Sequence, residues 1–193
     1  VTDKRQLRIA ARAKRKELSS AFRVTANSSI CERIHASQAY TNAQNILCYA
    51  AVGSEADIFA LMRQILCEGK KLLFPKVNLE NDSMDAFRVM SFEQLEPGAY
   101  RIPEPDAETC PRVDAQEIDL VLVPLTAFDG QCHRLGSGKG YYDRFLPLLR
   151  QDCPKWGIGF SAQRTEQIPI AAHDIALDGI VTEEGFITKE DSV

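Results

Sequence analysis

No two cysteines in this sequence form a CxxC pair, and none stands with histidine at zinc spacing; the six fall at positions 31, 48, 67, 110, 132 and 153. That spacing argues against a zinc ribbon or a thioredoxin-type motif, and it leads us to expect reduced thiols in a cytosolic (cytoplasmic) protein. Cys132 and His133 are the one adjacent pair that a thiol nucleophile could use, and the sequence names no partner to orient the histidine. No apolar run is long enough to cross a bilayer, so no membrane partner is expected. Repeats and low-complexity tracts are lacking too, and with 45% apolar residues and one Trp in 193 positions the chain reads as a single globular domain, 1–193. Its first residue is Val, which suggests a processed or trimmed amino terminus.

Positive charge is scarce outside the amino terminus. Residues 1–18 carry seven cations (Lys4, Arg5, Arg8, Arg12, Lys14, Arg15, Lys16) against Asp3 and Glu17, a balance of +5, while the net charge of −4 leaves −9 for the rest. A transit peptide would be poor in acids and would be removed. A nucleic-acid arm would need a basic patch with interleaved aromatics to continue it, and the remaining chain offers none, so no nucleic-acid partner is expected. A solvated helix face and a local role, in which one or two cations reach an anionic ligand, stay open.

Periodicity places the elements. Thr2 or Asp3 can cap a helix over 2–18 with Leu7, Ala10, Ala11 and Ala13 as a thin apolar stripe, and a second helix fits 28–38. NILCYAA (45–51) reads as a buried strand, DIFALMRQILCEGKK as a helix stopped at Gly69, and LLFP (72–75) as a second buried strand ended by Pro75. Strand, helix, strand is the βαβ signature of a parallel sheet, hence an α/β fold. MDAFRVM alternates like an antiparallel strand, YRIPEPDAETCPR is an excursion bordering the site, and DLVLVPL, KWGIGF and GIVTE resume the sheet.

Residues 134–144, RLGSGKGYYDR, hold the chemistry. Gly136, Gly138 and Gly140 can bring successive backbone N–H groups to an anion, with Lys139 as a point charge and a helix starting near Tyr141 adding its positive end. It is neither a Walker A loop, since Gly140 follows the lysine, nor a dinucleotide fingerprint, since Tyr141 takes the third glycine position. A tight structural turn is the alternative. Asp143 could hold Mg2+ or pair with Arg144 or Arg150; Glu55, after the first strand, could accept N–H groups of a ring or serve as helix N-terminal charge.

PLTAFDGQCHRLGSGKGYYDRFL, with Lys4 and Arg8 as K-x-x-x-R, Glu55, GKKLLFPKV, IPEP at 102–105 and QIPIAAHDIALDGIVTE, resembles the 5-formyltetrahydrofolate cyclo-ligase (5,10-methenyltetrahydrofolate synthetase) family over nearly the whole chain. The resemblance implies a three-layer α/β/α fold with a mostly parallel central sheet, and ATP- and Mg2+-dependent closure of 5-formyltetrahydrofolate, polyglutamylated or not, to 5,10-methenyltetrahydrofolate through a phosphorylated formyl intermediate. It implies ATP contacts from Lys4, Arg8, Arg134, Leu135, Gly136, Ser137, Gly138, Lys139, Gly140, Tyr141 and Tyr142, with Lys139, Arg134 and Tyr142 catalytic. Ala50, Glu55, Ser137, Gly138 and Tyr141 would bind the folate, Asp143 and Asp174 the metal, and a monomer is expected. The other cations of the first helix, Arg15 among them, keep the solvated-face reading. Three positions depart from the family pattern: Leu125 and Cys132 stand where it has glycine, with Gly130 available to take over the second turn, and Ser137 replaces a larger residue. These departures support one rival, a folate or nucleotide binder with little turnover; a second, an unrelated small-molecule phosphotransferase, would need a general base, and none stands out near the loop.

Overall fold

The computed structural model describes residues 3–189. Eight strands form one sheet: β1 (Asn45–Leu47), β2 (Lys71–Asn78), β3 (Ser83–Val89), β4 (Arg112–Val113), β5 (Leu120–Pro124), β6 (Lys155–Ile158), β7 (Gly179–Val181) and β8 (Phe186–Thr188). Their order is β8-β7-β6-β5-β1-β2-β3-β4. The five central strands β7 to β2 are parallel, and the edges β8, β3 and β4 pair antiparallel. The sheet is therefore mixed and mostly parallel, as expected.

Successive strand residues feed opposite cores. Ile46, Leu72, Leu120 and Leu122 join the cluster under the helices α2 (Ser20–His35) and α4 (Phe59–Cys67), while Leu47, Leu73, Val121 and Val123 join Phe145, Leu146 and Leu149 on the other face. Period-2 alternation with both faces apolar explains why these strands read as continuous hydrophobic runs. The second face is covered thinly: α5 (Tyr141–Phe145) gives way at once to a 3-10 turn, Leu146–Leu148. The helix that starts at Tyr141 is thus five residues long, with Pro147 inside the turn that follows it.

Several boundaries differ from expectation for identifiable reasons. Helix α1 spans Lys4–Glu17 and is capped by Asp3, whose side chain accepts the Arg5 N–H; Thr2 lies outside the described residues. Helix α2 begins eight residues before the expected start, on Ser19, because its first turns are exposed and the buried stripe opens only at Ala26. It ends at His35, and Ser37 caps a separate short helix, α3 (Gln38–Asn42). Strand β2 does not stop at Pro75. Leu73 turns its peptide toward β1, where its carbonyl accepts the Cys48 N–H at 2.9 Å. Pro75, two residues on, points the same way beyond the end of β1, where a missing N–H costs no ladder bond.

Candidate active site

β1 is flanked by β2 on one side and by β5 on the other, so the chain leaves the strand's carboxyl end in one direction and returns in the other. Such switch points open a crevice between diverging loops. Here the crevice is a cleft of about 510 Å³, lined by Tyr49 and Ala50 after β1, Pro124 and Leu125 at the end of β5, the 136–140 loop, α1 and the excursion at 100–104.

The glycine loop is thrown from a two-stranded ribbon, Ala127–Phe128 with Arg134–Leu135. Gly138 at φ +106° and Gly140 at φ +71° occupy the left-handed region that side-chain-bearing residues rarely adopt. Arg8 reaches from α1 to donate from Nε to the Gly136 carbonyl at 2.9 Å, and its guanidinium lies against Gly138. Lys139 is exposed, with Nζ 5.1 Å above the Tyr100 ring, and the Tyr100 and Tyr141 hydroxyls lie 3.3 Å apart.

Behind the loop the charges are paired. Arg134 is buried, donates from Nη2 to Asp143 Oδ1 at 2.8 Å and stacks on Tyr142 at 5.6 Å. Burial lowers the guanidinium's hold on its proton, and Asp143 opposes that. Asp174 is bonded to Lys4 Nζ and accepts the Ala171 N–H at 2.7 Å. Burial works against its ionised form, but the Lys4 and Ala171 bonds outweigh it and hold the carboxyl below its ordinary range. The Tyr142 hydroxyl is buried without a hydrogen-bond partner among the described residues, and burial keeps it protonated.

At the opposite end Glu55 Oε2 accepts the Val52 N–H at 3.0 Å across a turn that Gly53 makes at φ +62°. Burial raises the Glu55 pKa, with the Val52 N–H, Arg15 and Arg12 opposing. Arg15 is itself buried, its Nη1 3.8 Å from Glu55 Oε1 and its Nε donating to Ser54 Oγ at 3.1 Å. The solvated-face reading of Arg15 is thereby corrected. Lys4, Arg8, Ala11 and Arg15 follow helical spacing on the inward face of α1, which is cationic where an amphipathic reading looks for apolar residues.

The cleft gathers Lys4, Arg8, Ala50, Glu55, Arg134, Gly136, Ser137, Gly138, Lys139, Gly140, Tyr141, Tyr142, Asp143 and Asp174 around one space. Leu135 does not line it; that side chain packs on Ala11, Ala127 and Ile168 beneath α1. Sequence reasoning missed Arg12, Arg15, Tyr100, Glu104 and His173, all cleft residues. Tyr100 and Arg101 have positive φ, +57° and +62°, in the proline-rich excursion, and no local pattern announces such a conformation.

Two of the departures, Leu125 and Cys132, have structural accounts. Leu125 fills the space over two glycines: a Cβ on Gly159 would come within 2.7 Å of its Cδ1. Cys132 itself adopts φ +60°, so the turn that favours glycine stays at this position and is not taken over by Gly130. Asp129 is the partner His133 lacked in the sequence, 3.1 Å from its Nδ1, yet the Cys132 thiol is fully buried and outside the cleft, so the pair is structural.

Taken together, an α/β sheet with a glycine loop and cations at one end of a cleft, and a half-buried carboxylate at the other, is the arrangement of an enzyme site at a topological switch point. Residues 1–183 match the 5-formyltetrahydrofolate cyclo-ligase family, and the chain belongs to that family of ATP-dependent cyclo-ligases. A solved structure of 5,10-methenyltetrahydrofolate synthetase from Aquifex aeolicus superposes with a TM-score of 0.84 at 31% identity, covering 98% of this chain and 94% of that one. The 5-formyltetrahydrofolate cyclo-ligase of Mus musculus is 27% identical over 191 residues, 94% of each chain. The Arabidopsis thaliana relative, 27% identical over 95% of this chain and 75% of its own, is named mitochondrial, so family membership does not fix a compartment. Among the described residues no helix is long and apolar enough to cross a membrane.

Proposed function

We propose that this cyclo-ligase closes 5-formyltetrahydrofolate to 5,10-methenyltetrahydrofolate with MgATP, the 136–140 loop holding the phosphates and Glu55 the folate ring. The observation that carries this reading is the single cleft that joins both ends. The formyl oxygen attacks the γ-phosphorus, the bond to the β-phosphate oxygen breaks and ADP leaves. N10 then attacks the activated formyl carbon and loses its proton, and the carbon–oxygen bond breaks to release phosphate.

Each residue has a physical task in that sequence. Phosphoryl transfer needs in-line placement and neutralised charge more than covalent help. Backbone N–H groups of Gly136, Ser137, Gly138 and Gly140, with Lys139, face the phosphates, while Arg8 stiffens the loop through the Gly136 carbonyl. Arg134 orients Asp143, Lys4 orients Asp174, and Tyr142 buttresses Arg134. Glu55 accepts ring N–H groups, with Ala50 and Tyr141 as walls.

The donor set fits Mg2+. Asp143 and Asp174 each have one oxygen bonded to a cation; Asp143 Oδ2 is left for a ligand, and Asp174 Oδ1, 3.8 Å from the exposed His173 Nε2, can turn to one. Among the described residues no group of three or more His, Cys, Asp or Glu gathers for a metal. Two carboxylates completed by phosphate oxygens and water are the arrangement Mg2+ accepts. The ion would supply charge neutralisation at the β- and γ-phosphate oxygens.

Purified protein mixed with 5-formyltetrahydrofolate and MgATP is expected to give the near-ultraviolet absorbance of the methenyl product only when nucleotide and metal are both present. Bound folate without product would favour the binding-protein reading. Gly138→Ala should raise the KM for ATP about tenfold, because a side chain at φ +106° is strained by about 1–3 kcal/mol and its Cβ would lie 3.4 Å from the Arg8 guanidinium carbon. An unchanged KM would show that this loop does not carry the nucleotide.

A further inference from the structure

Arg15 presents a problem that the reaction as described does not use. Its guanidinium is buried, and among the described residues Nη1 has no hydrogen-bond partner and the anchors are Ser54 Oγ at 3.1 Å and the Glu55 carboxylate at 3.8 Å. A buried cation is costly unless it is paired, so a sequence free to vary would place an apolar residue on this face of α1. The helix instead runs its inward cations the length of the cleft. Lys4 and Arg8 meet Asp174 and the glycine loop, and Arg15, eleven residues and about 16 Å further along the axis, meets Glu55. Glu55 Oε2 is fixed by the Val52 N–H, whereas Oε1 has Arg15 as its nearest cationic partner, about 1 Å beyond charge-assisted bonding distance.

We propose that Arg15 is a positioning residue for the folate: anchored on Ser54, it keeps Glu55 as a carboxylate and sets the direction of Oε1 at the end of the cleft that receives the ring's N–H groups. The inference rests on the reading of this end as the folate site. Among the described residues, four ionisable side chains face Glu55: Arg15 and Arg12 from α1, Tyr49 after β1 and Tyr142 from α5. The tyrosines stay protonated, and the arginines favour the charged carboxylate against burial. Removing Arg15 therefore lets Glu55 hold its proton to higher pH, so ring binding, which needs the acceptor form, is lost earlier as pH falls.

The test titrates 5-formyltetrahydrofolate into the full chain calorimetrically across pH, alongside turnover. Arg15→Gln should weaken folate Kd about tenfold, leave the KM for ATP within about twofold, and move the acid limb of folate binding upward by about half a pH unit or more. Arg15→Lys, which restores the charge but not the fork, should return the limb while leaving part of the Kd loss. In an Glu55→Gln background, Arg15→Gln should add little, since its effect passes through the carboxylate. Ser54→Ala, at a half-buried turn, keeps the inference testable if Arg15→Gln does not fold; a smaller shift in the same direction is expected. A limb that stays at the wild-type pH in every variant that folds, or ATP KM rising in step with folate Kd, overturns the proposal. Wild-type protein that binds folate without product would sink the cyclo-ligase mechanism and leave Arg15 to be judged by the binding limb; wild-type protein that binds no folate removes both.

Discussion

Lys139→Ala lowers kcat about a thousandfold while the melting temperature stays within about two degrees of the parent. The two halves of that expectation come from different features. Lys139 is exposed, its ammonium rests over the Tyr100 ring, and among the described residues no carboxylate lies within ion-pair distance of it. Truncating such a side chain changes stability by about 0.5 kcal/mol or less. On the proposed reading, its place between Gly138 and Gly140 nonetheless puts a point charge beside the transferring γ-phosphoryl group. Removing one preorganised donor to a developing oxyanion costs about 10²–10³ in kcat, and a cation stabilising a transferring phosphoryl group is worth about 10³–10⁵. Single-turnover measurement of methenyl formation, with calorimetric melting as control, checks both halves. Turnover near that of the parent protein would remove Lys139 from the chemistry. A folate KM that stays level while kcat falls would place the loss at the phosphoryl end rather than at Glu55.

The parts of this molecule that could be read from the chain are those where local pattern and tertiary role coincide. LVLVPL and ILC are apolar throughout because both sheet faces are covered, and RLGSGKGYYDR carries two of its three glycines, Gly138 and Gly140, where the backbone takes positive φ. Where the two conflict, the pattern misleads. A helix whose buried face carries Lys4, Arg8 and Arg15 has the look of a solvated one, since cations ordinarily mark the outside; only the pairing with Asp174, the Gly136 carbonyl and Glu55 makes the inward placement tolerable. Pro75 reads as a strand end although the strand passes through it, because the neighbouring β1 is shorter, which no window around Pro75 can reveal. Tyr100 belongs to the same class: it reaches Lys139 and Tyr141 from an excursion whose path is set by contacts distant in sequence.

Asp143→Asn separates the two roles its carboxylate can play. As the counter-charge of a buried arginine, Asp143 is bonded through Oδ1 at 2.8 Å, and asparagine can still accept that bond but no longer balances the charge. Breaking a buried pair outright costs about 3–5 kcal/mol, so with the acceptor retained a loss of about 2 kcal/mol is expected, which for a chain of this size lowers the melting temperature by about 4–8 degrees. As a metal ligand, Asp143 offers its second oxygen to Mg2+, and a neutral amide is a poorer ligand for a hard cation. The Mg2+ concentration for half-maximal turnover should then rise at least about tenfold, with kcat down about a hundredfold at saturation. The melting shift alone, with the Mg2+ titration unmoved, would reduce Asp143 to the partner of Arg134. Because Asp174 depends on Lys4 rather than on Arg134, Asp174→Asn should reproduce the Mg2+ effect with a smaller melting shift, and a pair of variants that agree on metal but differ on stability is what two carboxylates sharing one ion require.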